Sequence, residues 1–540
     1  MDKIRFKAGN NYAGELFPVS LDSLVPEKSP ARLVSKIVDY LDLKELIRSY
    51  KIGGSTAYNP RTLLKIVFFA YMNNIYSCRK IEKLLRENIL YMWLSQAQKP
   101  SFSTINRFRS EHLKNHINTL FVQVVKLLVQ AGQLTLETQY IDGTKIESVA
   151  NKYTFVWKKN ILRFNANLDL KIRNVLQQID TGIAQDTTCS SDEVPEEISL
   201  SDLEEQVHQI NDQNLSQTLP KAKKKAFKQL HDYLIKKKEY AKKLDILKTR
   251  NSFSKTDPEA TFMHMKEDAM RNGQTKPGYN IQIATEHQYI TNIGLYPNPT
   301  DTRTFAPFMT LFYARYNMFP KIVCADSGYG SEENYDFLDS YRMQGYVKYN
   351  YFHKEQKRKY KEDPFLSANF FYNAKDDYYV CPMGQHLNNI NTYLRKNPSG
   401  YVSHIDCYRA SNCKGCPLRC LCYKSKLDQR SMEINHKLNA QKKRARELLL
   451  SEEGRFYRGR RCVEPEAVFG QIKNNKQYRR FRHKGFDKVQ MDFAILAMSF
   501  NLEKYIKYIL KTGQMDVLDL FLGLFLLFLP KYTVAKQKTF

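Results

Sequence analysis

The chain has 540 residues, with 84 Lys and Arg against 56 Asp and Glu, a formal net charge of +28 and a pI near 9.4. A hydrophobic fraction of 42% and a charged fraction of 26% argue against a disordered chain, and the length predicts about three to five structural units. So large a positive excess predicts a polyanionic partner or a membrane surface, in preference to general solubility alone.

The two ends of the chain bear on its location. The N-terminal stretch MDKIRFKAGNNY is polar, so no secretory signal peptide is predicted. The most apolar stretch, Val517–Pro530, contains Asp519 and is shorter than the about 20 apolar residues that span a bilayer. We interpret it as a buried terminal helix, with a membrane contact or a non-native extension as alternatives. A cytoplasmic protein without a membrane partner is expected.

Residues 1 to about 130 have the pattern of helices. In NPRTLLKIVFFAYM, Asn59 suits the N-cap and Pro60 the first helical position. In SFSTINRFRSEHL, Ser103 or Thr104 is a candidate cap for a short helix. Its apolar positions are Ile105, Phe108 and Leu113, and its polar, basic positions are Asn106, Arg107 and Arg109. Such a helix is typical of a helix-turn-helix recognition element or, with equal weight, of the surface of a bundle.

The middle of the chain alternates strands and helices. QYIDGTKIES predicts a strand, and a helical insertion follows at about 155–250, with an acidic linker and a lysine-rich helix. A solvated helical hairpin is the default for this insertion, and a contact to the DNA backbone is the alternative. Strand-like runs then appear in TFMHMK, YNIQIATE and YITNIGLYP, before a helix near 303–317 and the apolar run KIVCAD. This order predicts an α/β layered domain.

The last third of the chain begins with a loop-rich, Cys-rich segment at about 345–430, which we interpret as an insertion. VEPEAVFGQIKNNKQYRRF is then predicted to start a helix at Glu464-Pro465, with the helix of MDFAILAMSFNLEKYIKYILK packed behind it.

Two aspartates follow apolar runs and precede Gly-containing turns, namely Asp142 and Asp326. The ends of neighbouring strands are where α/β folds place ligand sites, and two carboxylates there can bridge hard cations. A third carboxylate from a helix would complete a two-metal site. Taken singly, each acid is more often a turn residue, so the hypothesis depends on their joint context.

The segments IDGTKIES, NKYTFVWKK, DPEATFM, KPGYNIQIAT, ADSGYGSEENYDFL and VEPEAVFGQIKNNKQYRRFRHKG resemble, in order, DDE transposases of bacterial insertion sequences, most closely the eleven-eighty-two group. The resemblance extends from about residue 10 to 510. It implies an α/β fold with an RNase H-like catalytic core, a mixed sheet flanked by helices. It also implies strand cleavage and transfer at the terminal inverted repeats of an element, dependent on two Mg²⁺ or Mn²⁺ ions. The implied catalytic and metal-binding residues are Asp142, Asp326 and Glu466. Its partners would be element ends and target DNA, bound by a homodimer associated with the nucleoid.

Glu466 is preferred to Glu464 because Pro465 suits the first position of a helix, which places Glu466 inside the first turn. Lys473 follows at the spacing of the family's helix signature, whereas Tyr457 and Arg461 lie near the signature spacing but not at it. Candidate DNA-binding residues are Lys473, Lys476, Arg461, Arg479, Arg480, Arg107 and Arg109. Three further acids rank lower, as residues that orient loops or metal ligands: Asp257, Glu259 and Asp301.

Six of the ten cysteines lie between Cys381 and Cys422. Without an export signal, such clustering favours a metal over disulfides, and four thiolates can hold one Zn²⁺ tetrahedrally. The candidate ligands are Cys381, Cys413, Cys416 and Cys422. The set stays ambiguous because other side chains could substitute, namely Cys407, Cys420, His386 and His404. Reduced free thiols are the alternative, and any zinc would stabilise the insertion without taking part in chemistry.

The predicted units are a helical DNA-binding domain, a catalytic core in two parts, a Cys-rich insertion and a tail. Their ranges are 1–130, 131–345 with 431–510, 346–430 and 511–540. Two other functions stay open. One is an RNase H-like nuclease that cuts without strand transfer, and the other is a catalytically inactive or domesticated DNA-binding protein.

Overall fold

The structure is a computed structural model, and it describes residues 20–50, 56–181, 198–214, 221–265, 273–425 and 427–513. The apolar stretch Val517–Pro530 and the polar N-terminal stretch lie outside these residues, as does most of the acidic linker. Within the described ranges, no helix is long and apolar enough to cross a membrane.

The N-terminal part is a helical bundle. Its helices are α1 (Leu21–Leu24), α2 (Pro30–Tyr40), α3 (Lys44–Arg48), α4 (Pro60–Met72), α5 (Cys78–Glu87), α6 (Ile89–Leu94), α7 (Phe102–Arg107) and α8 (Lys114–Gln130), with a π-helical turn, Phe108–Leu113, between the last two. The predicted start of α4 is confirmed, since the Asn59 side chain accepts a hydrogen bond from the Arg61 N–H at 2.9 Å. The predicted cap of α7 is wrong: Ser101 caps this helix by accepting from the Thr104 N–H.

The next part contains a mixed six-stranded sheet. Its elements are β1 (Thr138–Glu147), β2 (Phe155–Trp157), α9 (Lys158–Thr181), α10 (Leu200–Asn214), α11 (Lys221–Leu247), β3 (Ser252–Ser254), β4 (Thr261–His264), β5 (Thr275–Glu286), β6 (Tyr289–Tyr296), α12 (Phe305–Tyr316), β7 (Ile322–Ala325), α13 (Glu332–Ser340) and β8 (Gln344–Val347). β1 pairs antiparallel with β5 and parallel with β7, and β7 pairs parallel with β8. β5 also pairs antiparallel with β4 and β6. The predicted α/β layering is confirmed.

The helical insertion leaves and rejoins the sheet through one short ribbon. β2 pairs antiparallel with β3, so the two ends of the insertion are held together. Inside it, α9 and α11 pack through an apolar cluster that includes Leu168, Ile172 and Leu230. Lys237 of α11 forms a buried ion pair with Asp169 of α9. A helical insertion is therefore confirmed.

The Cys-rich segment contains far more strand than expected. Its elements are α14 (Phe352–Glu355), α15 (Arg358–Lys361), β9 (Phe371–Asn373), β10 (Tyr378–Val380), β11 (His386–Lys396), β12 (Val402–Ala410), α16 (Arg419–Cys422) and β13 (Ser431–Ile434). The five strands form one antiparallel sheet in the order β13-β12-β11-β10-β9. The expectation of a loop-rich segment is therefore wrong. The strands are hard to predict because β11 is exposed at most positions, so its sequence shows little alternation of apolar and polar residues.

The C-terminal part is helical. It comprises α17 (His436–Leu450), α18 (Glu452–Arg461), α19 (Ala467–Gly470) and α20 (Phe486–Thr512), with π-helical turns at Cys462–Glu466 and Gln471–Asn475. One continuous helix, which includes both π-helical turns, thus extends from Glu452 to Asn475. Ser451 caps it by accepting a hydrogen bond from the Gly454 N–H at 3.0 Å. The predicted helix start at Glu464-Pro465 is wrong. Pro465 lies inside the first π-helical turn, whose altered bonding accommodates a residue without an N–H. α20 is buried against α4, α8 and β6.

Candidate active site

Asp142 and Asp326 lie on neighbouring parallel strands. Tyr140 of β1 is opposite Cys324 of β7, and each aspartate is two residues beyond its member of this pair. The register therefore brings the two carboxylates to the same level and the same face of the sheet. Asp326 directly follows β7, as predicted, and its Oδ1 accepts from the Gly328 N–H at 2.8 Å. Asp142, in contrast, lies in the middle of β1 opposite Ile283, so its predicted place at a strand end is wrong.

Glu466 reaches this site through Arg461. The Arg461 Nη2 atom donates to Glu466 Oε1 at 2.6 Å, and its Nη1 lies 3.7 Å from Asp142 Oδ1. The side chains of Arg461 and Asp142 are 10% and 8% exposed, whereas that of Glu466 is 43% exposed. The buried side chains of Asp142 and Arg461 therefore lie next to the partly exposed carboxylate of Glu466.

The π-helical turn explains how Arg461 and Glu466 meet. Five residues along a regular α-helix differ by about 140° in direction, so the two side chains would diverge. Cys462–Glu466 forms a π-helical turn, in which hydrogen bonds join residues five apart and such residues share a face. The π-helical turn therefore brings Arg461 to the same face as Glu466, although Arg461 does not lie at the signature spacing. Tyr457, one turn earlier, packs on Tyr140 and Tyr346 of the sheet.

Glu464 points away from the aspartates. Its residue is 1% exposed, and Oε2 accepts from the backbone N–H of Gln288 at 2.6 Å, in the turn between β5 and β6. Oε1 lies 3.5 Å from Arg460 Nη2. Glu464 therefore fixes the helix to the hairpin. Glu466 is the one of the two acids that lies near Asp142, although the helix start used to prefer it was wrong.

Asp301 is a fourth carboxylate at this site, and the sequence interpretation ranked it too low. Its Oδ1 accepts from Asn280 Nδ2 and Gln282 Nε2 of β5, both at 2.8 Å. A Cβ atom added to Gly143 would lie 2.5 Å from Asp301 Oδ1, and one added to Gly328 would lie 3.7 Å from Asp301 Oδ2. Asp301 thus lies between the residues that follow Asp142 and Asp326. Only at Gly143 would the added Cβ be too close to Asp301, so this glycine gives it room.

The buried phenol of Tyr329 is affected by the negative charge of this carboxylate cluster. Burial is the main cause that raises the pKa of its phenol well above the ordinary value, and Asp301, Asp142 and Asp326 raise it further. The hydroxyl therefore stays protonated and donates to Gln282 Oε1. Gln282 in turn holds Asp301, so the tyrosine supports the acids through one amide.

The other two acids that ranked lower orient loops. Asp257 is fully buried and accepts from Ser148 Oγ at 2.6 Å, from the Tyr279 hydroxyl at 2.9 Å and from the Gly485 N–H at 3.2 Å. Glu259 accepts from the Phe486 N–H at the start of α20. Both join the sheet region to the C-terminal helix.

The predicted DNA-binding residues separate into two groups. Near the acids, Lys473 Nζ donates to the Lys145 carbonyl at 3.3 Å, and Arg480 donates to the carbonyls of residues 148–150 at 3.0 to 3.2 Å. Arg479 and Arg107 are exposed. Lys476, Arg109 and Arg461 are buried, which argues against the predicted contact of these three residues with DNA. Lys476 pairs with Glu503 at 2.5 Å, and Arg109 donates to the Tyr71 hydroxyl at 2.6 Å.

The donor set can be compared with what a hard cation requires. Among the described residues, no group of three or more His, Cys, Asp or Glu side chains is arranged closely enough to hold a metal ion. The carboxylates of Asp142, Asp326 and Glu466 nevertheless have the chemistry that Mg²⁺ and Mn²⁺ prefer. The cation beside them is Arg461, whose buried Nε and Nη1 atoms have no hydrogen-bond partner among the residues of the described ranges. The chemistry of these carboxylates suits a divalent ion, provided that the Arg461 side chain moves away from them.

The four predicted zinc ligands line one pocket. Cys381, Cys413, Cys416 and Cys422 share it with Arg430. Arg430 Nη1 donates to Cys422 Sγ at 2.7 Å, and the Arg430 backbone N–H donates to Cys413 Sγ at 3.5 Å. Among the described residues, these thiols included, no group is arranged closely enough to hold a metal ion. The zinc site therefore stays a prediction.

A zinc site in this pocket has a measurable stoichiometry. We expect elemental analysis of protein purified without added zinc to find about one zinc per chain, held by four thiolates. Replacing both Cys413 and Cys416 by Ser should release it, whereas Ser at the exposed Cys462, outside the pocket, should not. Protein without zinc, with all four thiols open to alkylation in the folded state, would contradict the prediction.

Two parts of the chain match known families. Residues 380–506 match the family described as Transposase DDE domain, and residues 19–111 match the family described as Transposase domain (DUF772). No curated protein and no solved structure matches the chain. The first match includes Glu466, and the second covers most of the N-terminal bundle. The narrower resemblance to the eleven-eighty-two group stays a prediction. Two separate matches indicate a transposase and confirm the resemblance of this chain to the DDE transposases of insertion sequences.

Proposed function

We propose that the chain binds the terminal inverted repeats of an insertion sequence and catalyses metal-dependent cleavage and transfer of DNA strands. The observation that carries the proposal is the register of β1 and β7, which sets Asp142 level with Asp326, beside Glu466. The strand order supports an RNase H-like core, because an antiparallel β1, β5 and β6 group continues into parallel β7 and β8.

In this proposal Asp142, Asp326 and Glu466 would hold two Mg²⁺ or Mn²⁺ ions. Such a pair, when bound, supplies an activated attacking oxygen and a stabilised leaving oxygen. The remaining work falls to the chain's own side chains. Asp301, fixed by Asn280 and Gln282, would add negative charge near the two aspartates. Lys473, at the end of the same helix, and Arg479 and Arg480, in the segment that follows it, would neutralise DNA phosphates.

The two neighbouring glutamates should separate activity from stability. We expect Glu466→Gln to lose cleavage by about a hundred-fold or more, because it removes a charge near Asp142 while leaving a half-exposed side chain. Glu464→Ala should keep the acids but unfold at lower denaturant concentration. It removes the hydrogen bond that the part-buried Gln288 N–H donates to a carboxylate, and such a bond to a charged group contributes about 1.5–3 kcal/mol. Urea titration and a cleavage assay on both variants give the comparison, and the opposite assignment of the two effects would contradict it.

The reaction type needs an assay of products. Purified chain is incubated with Mg²⁺, a duplex carrying the left or right terminal repeat of the element, and a supercoiled target. Joined target molecules support a transposase. Cleaved ends without joined products would indicate the nuclease alternative, and bound but uncut ends would indicate an inactive DNA-binding protein. Sizing of the chain on DNA by light scattering tests the proposed homodimer, which should appear as two chains for two ends.

A further inference from the structure

We propose that Arg461 is an internal counter-ion of the carboxylate cluster, which holds the acids together without metal and must be displaced when divalent cations bind. The inference rests on the proposed function, since it concerns the cation site of Asp142, Asp326 and Glu466. It adds a positioning residue that sets how readily that site takes up cations.

The first support is the place of the guanidinium. Arg461 contacts Glu466 at 2.6 Å and approaches Asp142 to 3.7 Å, while its side chain is only 10% exposed. A guanidinium keeps its positive charge in proteins, so Arg461 supplies a fixed cation beside these acids. Without this positive charge, the carboxylates would repel one another at short range.

The second support is that the arginine is incompletely satisfied. Its Nε and Nη1 atoms are buried and have no hydrogen-bond partner within the part of the chain that the structure describes. A guanidinium that serves only to stabilise a fold normally has its N–H groups paired, because an unpaired buried donor costs free energy. Arg461 is therefore held mainly by the charge of the acids, and a competing cation that takes this charge would release it.

Arg460 provides an internal comparison. It is adjacent in sequence and also pairs with a glutamate of the π-helical turn, but that glutamate is Glu464, which faces the β5–β6 turn. Arg460 is 45% exposed, whereas Arg461 is 10% exposed. The two arginines carry the same charge on the same helix, and only Arg461 is close to the aspartates. Neutralising each in turn separates the local effect from the change in net charge.

The test is the affinity of the full-length protein for Mn²⁺ without DNA, measured by calorimetry and by the spin-resonance signal of free Mn²⁺. We expect Arg461→Gln to bind Mn²⁺ about ten-fold or more tightly than the unaltered chain, because a positive charge within about 4 Å of the ligands is gone. Arg460→Gln should change the affinity by less than about three-fold. Arg461→Lys, which keeps the charge, should also stay near the unaltered chain and remains informative where the glutamine variant folds poorly.

The outcomes distinguish this inference from the proposed function. Equal Mn²⁺ affinity in Arg461→Gln and Arg460→Gln, in a chain whose binding is lost on Asp142→Asn, overturns the counter-ion role alone. Mn²⁺ binding that is absent, or that is unaffected by Asp142→Asn, overturns the proposed metal site itself. A weaker affinity in Arg461→Gln with native circular dichroism would also overturn the inference, because it would make the arginine a support for the metal and not its competitor.

Discussion

Asp142→Asn and Asp326→Asn should each reduce strand cleavage by about a thousand-fold or more while leaving binding to element ends intact. In the proposed mechanism, each substitution would remove one charged ligand of a pair of cations that supplies several kcal/mol of charge stabilisation, and about 4 kcal/mol corresponds to a thousand-fold. Asn keeps the size of the side chain, and at position 326 it keeps an oxygen that can accept from Gly328. Cleavage of labelled end duplexes and a gel-shift titration measure the two properties separately.

The control for these variants is Asp339→Asn. Asp339 is 55% exposed on α13 and pairs only with Arg444 among the described residues, so the same chemical change there should leave cleavage within about two-fold. Retained cleavage in purified Asp142→Asn protein would contradict the assignment of the acids. Lost end binding, with native melting behaviour, would show that the aspartates serve recognition instead.

The largest expected effect on stability is at Asp492 of α20. This residue is fully buried, and it accepts from the hydroxyls of Tyr71 and of Tyr478, the latter at 2.6 Å. Arg109 Nη1 lies 3.9 Å away and also donates to Tyr71. Asp492→Ala leaves the buried arginine without a counter-charge, so we expect a loss of about 3–5 kcal/mol in the free energy of unfolding. Urea unfolding followed by circular dichroism measures it.

Asp487→Ala is the matched control at the exposed start of the same helix. A first-turn acid contributes about 0.3–1 kcal/mol through the helix dipole, so the midpoint should move much less than in Asp492→Ala. Similar losses in the two variants would show that the buried network contributes little. Because the network joins α4 and the π-helical turn before α8 to α20, its loss should unfold the N-terminal bundle and the C-terminal helix together.

Buried apolar runs were predictable from the sequence, and polar elements were not. β5, β6 and β7 are buried at most positions, and their sequences, rich in β-branched and aromatic residues, were interpreted correctly as strands. The sheet of β9 to β13 was missed because its longest strand, β11, is exposed along most of its length and carries mostly polar side chains. Asp142 was misplaced because Gly143 suggested a turn, whereas this glycine is required by the close approach of Asp301.

The site was predictable in its acids but not in its basic residues. Asp142, Asp326 and Glu466 lie in one region, yet only the strand register brings the first two level. Arg109 and Lys476 were expected on the surface because basic residues are usually exposed, and the sequence around them gives no sign of their partners Asp492 and Glu503. Asp301 lies near the other acids because it accepts a hydrogen bond from Gln282 of β5, a contact that the sequence does not show.

The π-helical turn at Cys462–Glu466 has a consequence for how relatives of this chain are found. Motifs on helices are usually searched for as letters at fixed intervals, which assumes an even winding. Here a locally wider turn lets an arginine and a glutamate five positions apart act as neighbours. A residue gained or lost at this point during evolution would leave the active-site geometry unchanged while erasing the textual match. Patterns that allow one extra position between the arginine and the glutamate should therefore recover chains that rigid patterns exclude.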